Sequence, residues 1–371
     1  MQLIDLKAQQ NRLQPALNKR ILSVLDQGNY IMGEEVFHLE SRLADYVGTK
    51  HVITCANGTD ALHISLMALD VKAHDIVITT AFSFFATAEV IRLVNATPYF
   101  VDIDERTFNM CPTSLSNAIK HIVESGQGKI SAVISVDLFG LPADHVALQK
   151  ICHQYNIPLV EDAAQGFGGR IGDARAGTFG EIATTSFFPA KPLGCYGDGG
   201  AIFTDNDRIA EMCRSIRSHG MGNHKYENVR IGMNSRLDTI QAAVLLEKLT
   251  IFDDECLTRS ENASLYSDNL DKSYVTPTLP DGFFSSWAQF TLWNRNVSRS
   301  EITQALQRKN IPFAIYYPVP INEQKGMIGC RGHKTPTAHN MSKKVFSIPV
   351  HPYLTDDDKG LIIETLNECC R

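Results

Sequence analysis

One lysine of the chain, Lys191, lies between an apolar stretch and a run of glycines, in the segment SFFPAKPLGCYGDGG at residues 186–200. Most lysines are solvated at the surface and have no special reactivity. A lysine with apolar and small neighbours is desolvated instead. Desolvation lowers its pKa and lets the amine form a Schiff base with an aldehyde. Lys191 is therefore a candidate nucleophile, although one lysine does not identify a reaction.

Two adjacent carboxylates form a second candidate. The apolar run at residues 157–160 ends in Glu161 and Asp162, and Gln165 follows closely. A carboxylate at a buried strand end needs a cationic or hydrogen-bonding partner. A protonated pyridine nitrogen is one such partner, and a ribose hydroxyl is another. The second choice keeps a nucleotide-binding oxidoreductase among the alternatives.

Two further segments have residue types that bind ligands. Residues 55–61, CANGTDA, contain Gly58 and Thr59 where a helix should begin, and free backbone N–H groups at a helix start bind phosphate. The same residues would also make an ordinary helix cap, and the Gly-x-x-x-x-Gly-Lys-Ser/Thr phosphate loop is absent. Phe82, Phe84 and Phe85 would either fill the core or stack on a planar ring.

These four segments each follow the end of a predicted strand. Apolar and β-branched runs predict strands at residues 51–54, 75–79, 98–102, 131–136, 158–161, 183–187 and 201–204. Helix-period stretches between them lie at residues 59–69, 87–94, 114–123 and 145–154. This alternation predicts an α/β domain with a largely parallel sheet covered on both faces. Ligands of such sheets bind at the carboxyl ends of the strands.

The rest of the chain completes two unequal domains. One helix is predicted over residues 6–26, and others over 208–217 and from 235 to 249, continuing towards 271. After that the pattern changes, with strands predicted at 287–293 and 313–317 and helices at 301–308 and 355–367. We expect a large α/β domain over residues 1–250 and a smaller α+β domain over residues 251–371.

The composition narrows the class of protein. The 371 residues contain 35 Lys and Arg against 41 Asp and Glu, a formal charge of −6, which argues against nucleic acid or an anionic membrane as the main partner. No apolar run is long enough to span a membrane, and the first residues lack a secretory pattern. Nine cysteines without Cys-x-x-Cys, and histidines without His-Glu-x-x-His, predict no metal site and a cytoplasmic location.

Taken together, the motifs resemble the DegT/DnrJ/StrS sugar aminotransferases, which depend on pyridoxal 5′-phosphate (PLP) and have fold type I. The resemblance extends from IDLK at residues 4–7 and GNYIMG at 28–33 to SIPVHP at 347–352. The spacing of Asp162 and Lys191 is also similar to that of the family. The resemblance implies a large mixed, mostly parallel sheet with a smaller C-terminal α+β domain.

The resemblance also implies a role for each candidate residue. Lys191 would hold PLP as a Schiff base and later act as general base and acid. Asp162 would pair with the pyridinium nitrogen, which makes the ring an electron sink. Gln165 would lie near the phenolic oxygen, and Phe84 would stack on the ring. The implied phosphate-binding positions are Gly58, Thr59 and Ser186.

The resemblance also implies a role for a further segment, residues 232–238. In the family an asparagine at the position of Asn234 reaches the cofactor phosphate of the neighbouring subunit, which implies a homodimer with shared active sites. Arg236 follows it, and Arg230 and His219 lie just upstream. Each of the three is a candidate for binding the carboxylate of the amino donor or of an acidic sugar.

The implied reaction is a transamination in two half-reactions. L-glutamate gives its amine and leaves as 2-oxoglutarate, and a nucleotide-linked keto-sugar accepts the amine. Residues 185–200 most resemble enzymes that aminate UDP-linked 3-keto sugars, including 2-acetamido-3-keto-glucuronic acid, for surface polysaccharide such as lipopolysaccharide. A dTDP-linked 3- or 4-keto-6-deoxy sugar is the alternative acceptor. Tyr316 and Tyr317 stand where the family often has His-Tyr, so a contact to the acceptor differs.

Three other classes of protein share part of this pattern. A PLP-dependent sugar dehydratase of this fold has histidine in place of the lysine, so Lys191 favours transamination. A nicotinamide oxidoreductase needs Gly-x-Gly-x-x-Gly after an early strand, and residues 166–169 are only an imitation of that motif. A non-catalytic protein of the fold should have lost Asp162, Lys191 or the phosphate residues, and all are present.

Overall fold

The computed structural model describes residues 1–224 and 226–371. Its strands are β1 His51–Cys55, β2 Ile76–Thr80, β3 Thr97–Val101, β4 Ile130–Val136, β5 Leu159–Asp162, β6 Arg170–Ile171, β7 Ala174–Arg175, β8 Ile182–Ser186, β9 Gly200–Thr204, β10 Tyr274–Val275, β11 Phe283–Phe284, β12 Phe290–Asn294, β13 Arg331–Gly332 and β14 Phe346–Ile348. Its α-helices are α1 Leu6–Leu13, α2 Ala16–Gln27, α3 Glu34–Val47, α4 Gly58–Ala68, α5 Ala86–Leu93, α6 Pro112–Glu124, α7 His145–Gln154, α8 Asp207–Ile216, α9 Thr239–Leu249, α10 Phe252–Asn269, α11 Arg299–Arg308, α12 Pro336–Lys344 and α13 Asp356–Glu368.

The largest sheet has eight strands in the order β1-β9-β8-β5-β4-β2-β3-β13. The β1–β9 and β9–β8 pairs are antiparallel, and the remaining pairs are parallel. Every residue of β2 is buried, because helices cover both faces of the sheet. Ile76 and Ile78 pack against α6 and α7, whereas Val77 packs against α4 and α5. The predicted α/β fold with a large mixed, mostly parallel sheet is thereby confirmed.

A second core lies towards the end of the chain. The antiparallel sheet β10-β12-β14 packs there with α11, α13 and the second half of α10. Helix α10 contributes to both cores, since Phe252 and Cys256 pack into the first and Ala263 and Tyr266 into the second. The division near residue 250 stays a prediction. No helix in the described ranges is both long and apolar enough to cross a membrane.

Three predicted elements are wrong in extent. The single helix expected over residues 6–26 is two helices, α1 and α2, because Pro15 lacks an N–H donor and its ring blocks the preceding turn. The helix expected from 235 towards 271 begins at Thr239 and is interrupted between α9 and α10. The strand expected at residues 313–317 is only one bridge, between Ala314 and Ser347. Pro312 and Pro318 flank that bridge and supply no donors to extend it.

Candidate active site

Asp162 is the last residue of β5, in the middle of the large sheet. Its side chain is only 4% exposed. Thr87 Oγ1 donates to Asp162 Oδ2 at 2.9 Å, and the Ala164 amide donates to Oδ1 at 3.2 Å. Burial raises the pKa of Asp162, while these two hydrogen bonds and the positive charge of Lys191 act in the opposite direction. The carboxylate is thus held in place and suited to a cationic partner.

Lys191 lies in the loop between β8 and β9, and its amide donates to the Phe188 carbonyl at 2.8 Å. The residue as a whole is partly exposed. Burial lowers the pKa of Lys191, and the negative charge of Asp162 raises it. Because burial is the larger effect, more of the amine is neutral and nucleophilic than in an ordinary lysine.

The loop that presents Lys191 is tightly closed. The Phe187 amide donates to the Gly199 carbonyl at 2.7 Å, and the Cys195 amide donates to the Phe187 carbonyl at 2.8 Å. A Cβ atom at Gly194 would lie 2.6 Å from the Phe188 carbonyl oxygen, which explains why glycine occupies this position. Burial raises the pKa of the Cys195 thiol to about 11, so this cysteine stays protonated and acts in packing.

The start of α4 meets the end of β8. Asn57 caps the helix, and Gly58 is its first residue. A Cβ atom at Gly58 would lie 2.6 Å from Ser186 Cβ, and one at Gly200 would lie 2.5 Å from the Asn57 carbonyl oxygen. The two glycines therefore let strand and helix approach closely. The Asn57 side chain accepts from the Asp60 amide at 2.8 Å, so the N–H groups of Gly58 and Thr59 are those that remain to bind an anion within the described residues.

The three aromatic residues after β2 have different environments. Phe82 is fully buried in the core, Phe85 is partly buried, and Phe84 is 57% exposed. The Phe84 ring centre lies 6.5 Å from that of Tyr317, with the rings tilted by 43°. Of the three, Phe84 is the one with a ring face available for stacking on a ligand.

Gln165 and Tyr317 are tied together beside Asp162. Gln165 is buried, its Oε1 accepts from the Phe139 amide at 2.9 Å, and its Nε2 donates to the Tyr317 hydroxyl oxygen at 3.0 Å. Burial raises the pKa of Tyr317, so its phenol is neutral. The structure therefore brings Tyr317 into the site, and Tyr316 lies next to it.

A buried cluster lies directly behind this strand end. Both carboxylate oxygens of Glu161 accept backbone N–H groups, each at 2.8 Å. Asp137 Oδ1 pairs with His145 Nε2 at 2.7 Å. Burial, and after it the negative charge of Asp137, raise the pKa of Glu161 well above its usual value. The cluster holds the backbone from which Asp162 projects.

Four predicted residues lie apart from this centre. His219 and Asn234 are exposed, and Arg230 and Arg236 are partly buried. None of them makes a hydrogen bond to Asp162 or Lys191 within the described ranges. The Ala56 amide donates to Ser235 Oγ at 3.1 Å, so the segment that carries Asn234 adjoins the turn before α4.

Sequence reasoning missed Thr87. Its hydroxyl donates to Asp162 and is itself 3.2 Å from Ser83 Oγ. The signal available was a pair of hydroxyl residues one helical turn apart after a strand end. Nothing in the sequence, however, shows that these hydroxyls face a carboxylate from another strand.

Comparisons with known proteins agree with this geometry. The profile of the DegT/DnrJ/EryC1/StrS aminotransferase family matches residues 11–367. The UDP-2-acetamido-2-deoxy-3-oxo-D-glucuronate aminotransferase of Pseudomonas aeruginosa is 44% identical over 95% of this chain and 96% of its own length. The dTDP-3-amino-3,6-dideoxy-alpha-D-galactopyranose transaminase of Aneurinibacillus thermoaerophilus is 33% identical over 98% of each chain.

Solved structures give the same result. The crystal structure of a DegT DnrJ EryC1 StrS aminotransferase from Brucella abortus has a TM-score of 0.97 and 43% identity, covering 99% of each chain. The structure of S. venezuelae DesV in complex with a ketimine intermediate has a TM-score of 0.94 and 31% identity, covering 100% of this chain and 98% of that one. The chain therefore belongs to the DegT/DnrJ/EryC1/StrS family of PLP-dependent sugar aminotransferases.

Proposed function

We propose that this aminotransferase moves the amino group of L-glutamate to a UDP-linked 3-keto sugar, such as UDP-2-acetamido-3-keto-glucuronate. The observation that carries the chemistry is that Lys191 lies close to Asp162, at the carboxyl end of the central strand β5. The negative charge of Asp162 raises the pKa of Lys191, and the positive charge of Lys191 lowers that of Asp162. The acceptor rests on similarity, because the relative at 44% identity acts on a UDP-linked 3-oxo-glucuronate. Relatives named for dTDP sugars are 33% and 32% identical, so a dTDP-linked keto-sugar is the second candidate.

The residues present fit PLP. When bound, PLP supplies a ring that stabilises negative charge on the carbon next to the nitrogen of the amine. In our assignment Lys191 would hold the aldehyde carbon, Asp162 would face the ring nitrogen, Gln165 would lie near the phenolic oxygen, and Phe84 would stack on the ring. Gly58, Thr59 and Ser186 would bind the phosphate.

In this proposal Lys191 is the residue that transfers protons. Burial lowers the pKa of Lys191, which favours the neutral amine, and in that form Nζ can accept the proton from Cα of glutamate. The same group later donates a proton to the sugar carbon that receives the amine. Asp162 contributes by staying ionised, because the Thr87 hydroxyl and the Ala164 amide stabilise its negative charge.

We also propose that the active unit is a homodimer with shared sites. The loop that carries Asn234 exposes Ile231 by 85%, together with Val229 and Met221. Apolar side chains exposed side by side mark surfaces that bind another protein. The exposed Asn234 would then reach the phosphate site of the partner subunit, and the arginines and His219 of the same loop would follow it.

The cellular setting is part of the proposal. An acidic chain of charge −6 whose described helices do not suit a membrane is consistent with a cytoplasmic enzyme that binds neither nucleic acid nor lipid. The aminated nucleotide sugar would be used for surface polysaccharide, such as lipopolysaccharide.

An absorption spectrum tests the central assignment. The purified protein with PLP should absorb in the visible, and L-glutamate should bleach that band. Lys191→Ala should show neither change, whereas the matched control Lys150→Ala, at an exposed lysine, should behave as wild type. Wild-type behaviour of Lys191→Ala would contradict the assignment. UDP- and dTDP-linked keto-sugars, offered in turn to the aminated enzyme, then identify the acceptor.

A further inference from the structure

A small cavity lies beside the segment that carries Lys191. Ala190 and Pro192 form one wall, Leu3 and Ile4 of the N-terminal segment form another, and Tyr316 also lines the cavity. Its volume is about 30 Å³. A water needs roughly 10–15 Å³ measured in this way, so the cavity has room for about two waters or for one carboxylate group.

Arg259, on α10, lines this cavity and is only 8% exposed. Within the described ranges its guanidinium donates to no oxygen or nitrogen atom, and the thiol of Cys256, a weak acceptor, lies close to it. The nearest carboxylate oxygen is Glu255 Oε2, at 3.8 Å from Nη2, and Nη1 is buried without a partner. A guanidinium has five N–H donors, and a buried charge without partners is costly. Arg259 is therefore a desolvated cation with unused donors.

Glu255 does not satisfy Arg259, because its oxygens are engaged elsewhere. Gln9 Nε2 donates to Oε1 at 3.1 Å and to Oε2 at 2.9 Å, and the Tyr353 hydroxyl also donates to Oε1. The charge of Glu255 also acts on Lys248, whose pKa is lowered to about 8, chiefly by burial. Glu255 is thus shared between two cations, while the carboxylates of Asp5 and Asp358 act on the neighbouring His351.

Other groups of the cavity favour the same kind of ligand. Trp287 Nε1 is a buried donor without a partner among the described residues. His351 has its pKa lowered by burial, so it is neutral at pH 7. Arg259 is thus the formally charged side chain of the lining, and an arginine fork beside a neutral donor suits the two oxygens of a carboxylate.

We propose that this cavity is a carboxylate subsite of the transamination, in which Arg259 and Trp287 bind a carboxylate of the amino donor or of an acidic sugar. The inference rests on the proposed function and assigns the carboxylate to a residue outside the exposed loop of His219. Because Arg259 is desolvated, its ion pair would be screened by water and salt much less than a pair at His219.

The two half-reactions test the subsite and separate its two sources of carboxylate. The first arm measures how fast increasing L-glutamate bleaches the visible band. The second offers the aminated enzyme a keto-sugar with a carboxylate at C6, and then its hydroxymethyl counterpart. Arg259→Gln should weaken the apparent affinity for the carboxylate-bearing substrate about 10- to 100-fold, and Arg259→Lys should recover part of the loss. A change with glutamate means that the subsite binds the carboxylate of the amino donor. A change with the keto-sugar means that it binds the carboxylate of the sugar.

The matched control is Arg299→Gln. Arg299 is also partly buried in the C-terminal part of the chain, but its Nη1 donates to the carbonyls of Ser342 and Val345 at 2.6 and 3.2 Å. That variant should cost stability and leave both arms unchanged. Trp287→Phe is a milder second variant, expected to weaken the same arm roughly 2- to 10-fold. If Arg259→Gln does not fold, Trp287→Phe tests the subsite in its place.

A binding readout works without the cofactor. The chain has two tryptophans, so in a Trp293→Phe background the fluorescence reports on Trp287 alone. Titration with 2-oxoglutarate should change that emission and saturate, and Arg259→Gln should remove the effect. If wild type never bleaches with glutamate, the proposed function has failed. If it does, but the Arg259 variants match Arg299→Gln in both arms and in fluorescence, the subsite is refuted.

Discussion

Thr87→Val isolates one hydrogen bond that keeps Asp162 ionised. Valine has nearly the shape of threonine, Thr87 is buried, and its hydroxyl donates to Asp162 Oδ2 at 2.9 Å. A hydrogen bond to a charged group contributes about 1.5–3 kcal/mol. One pKa unit corresponds to about 1.36 kcal/mol, so the pKa of Asp162 should rise by roughly one to two units.

The rise in the pKa of Asp162 predicts the direction in which the pH profile of the enzyme should move. Burial already raises the pKa of Asp162, and loss of the Thr87 donor adds to that effect. In our assignment Asp162 supports the reaction only in its ionised form. As the pH is lowered, the variant should therefore lose activity at a higher pH than wild type. We expect the acid limb of the rate of bleaching by glutamate to move up by roughly one to two pH units.

The apoprotein provides an independent check. A carboxyl whose folded pKa is raised destabilises the fold as pH increases above its unfolded pKa. Thr87→Val should therefore lower the free energy of unfolding by about 1.5–3 kcal/mol at pH 8 and much less at pH 3.5. Thr87→Ser keeps the hydroxyl and is the control. An unshifted acid limb, with equal stability of the Val and Ser variants at pH 8, would refute the reasoning.

Three further predictions test the phosphate site, the dimer and the buried cluster. Gly58→Ala places a Cβ atom 2.6 Å from the end of β8 and should weaken PLP retention at least tenfold in a PLP titration, whereas Gly360→Ala, which meets open space, should not. Lys191→Ala mixed with Asn234→Ala should recover activity beyond the sum of the two, since mixed dimers contain one intact site; no recovery would argue against shared sites. The pKa of Glu161 is raised well above 4.5, so the free energy of unfolding should decrease as the pH rises above that value. Asp137→Asn should make this decrease smaller, and denaturation curves at pH 5 and pH 9 measure it.

The positions of the main elements could be predicted because they depend on neighbours along the chain. Apolar runs of strand length and helix-period stretches placed β1 to β5 and α4 to α7 within a few residues. The same local patterns predict Lys191 and Asp162 as candidate site residues, since each follows such a run. The error over residues 6–26 was also local: the proline that ends α1 is visible in the sequence, and the amphipathic pattern was given more weight than the proline.

Other features depend on contacts between distant parts of the chain. Phe82 and Phe84 are the same residue type two positions apart, yet one is buried and the other exposed. Phe82 is covered because it packs against Phe108 and Phe139, which are distant in sequence. The strand expected at residues 313–317 failed for a similar reason, since a strand exists only where a partner edge accepts it.

By itself the sequence determined the family and the cofactor, and it singled out Lys191 and Asp162 as the candidates for the centre of the chemistry. Each of these is carried by short motifs whose chemistry depends on residue type. Only the tertiary structure decided that Thr87 faces Asp162 and that Gly58 touches Ser186. It also left Arg259 buried beside the Lys191 segment with unused donors. Such facts arise when segments far apart in sequence are brought together, and residue spacing along the chain contains no record of which groups then meet.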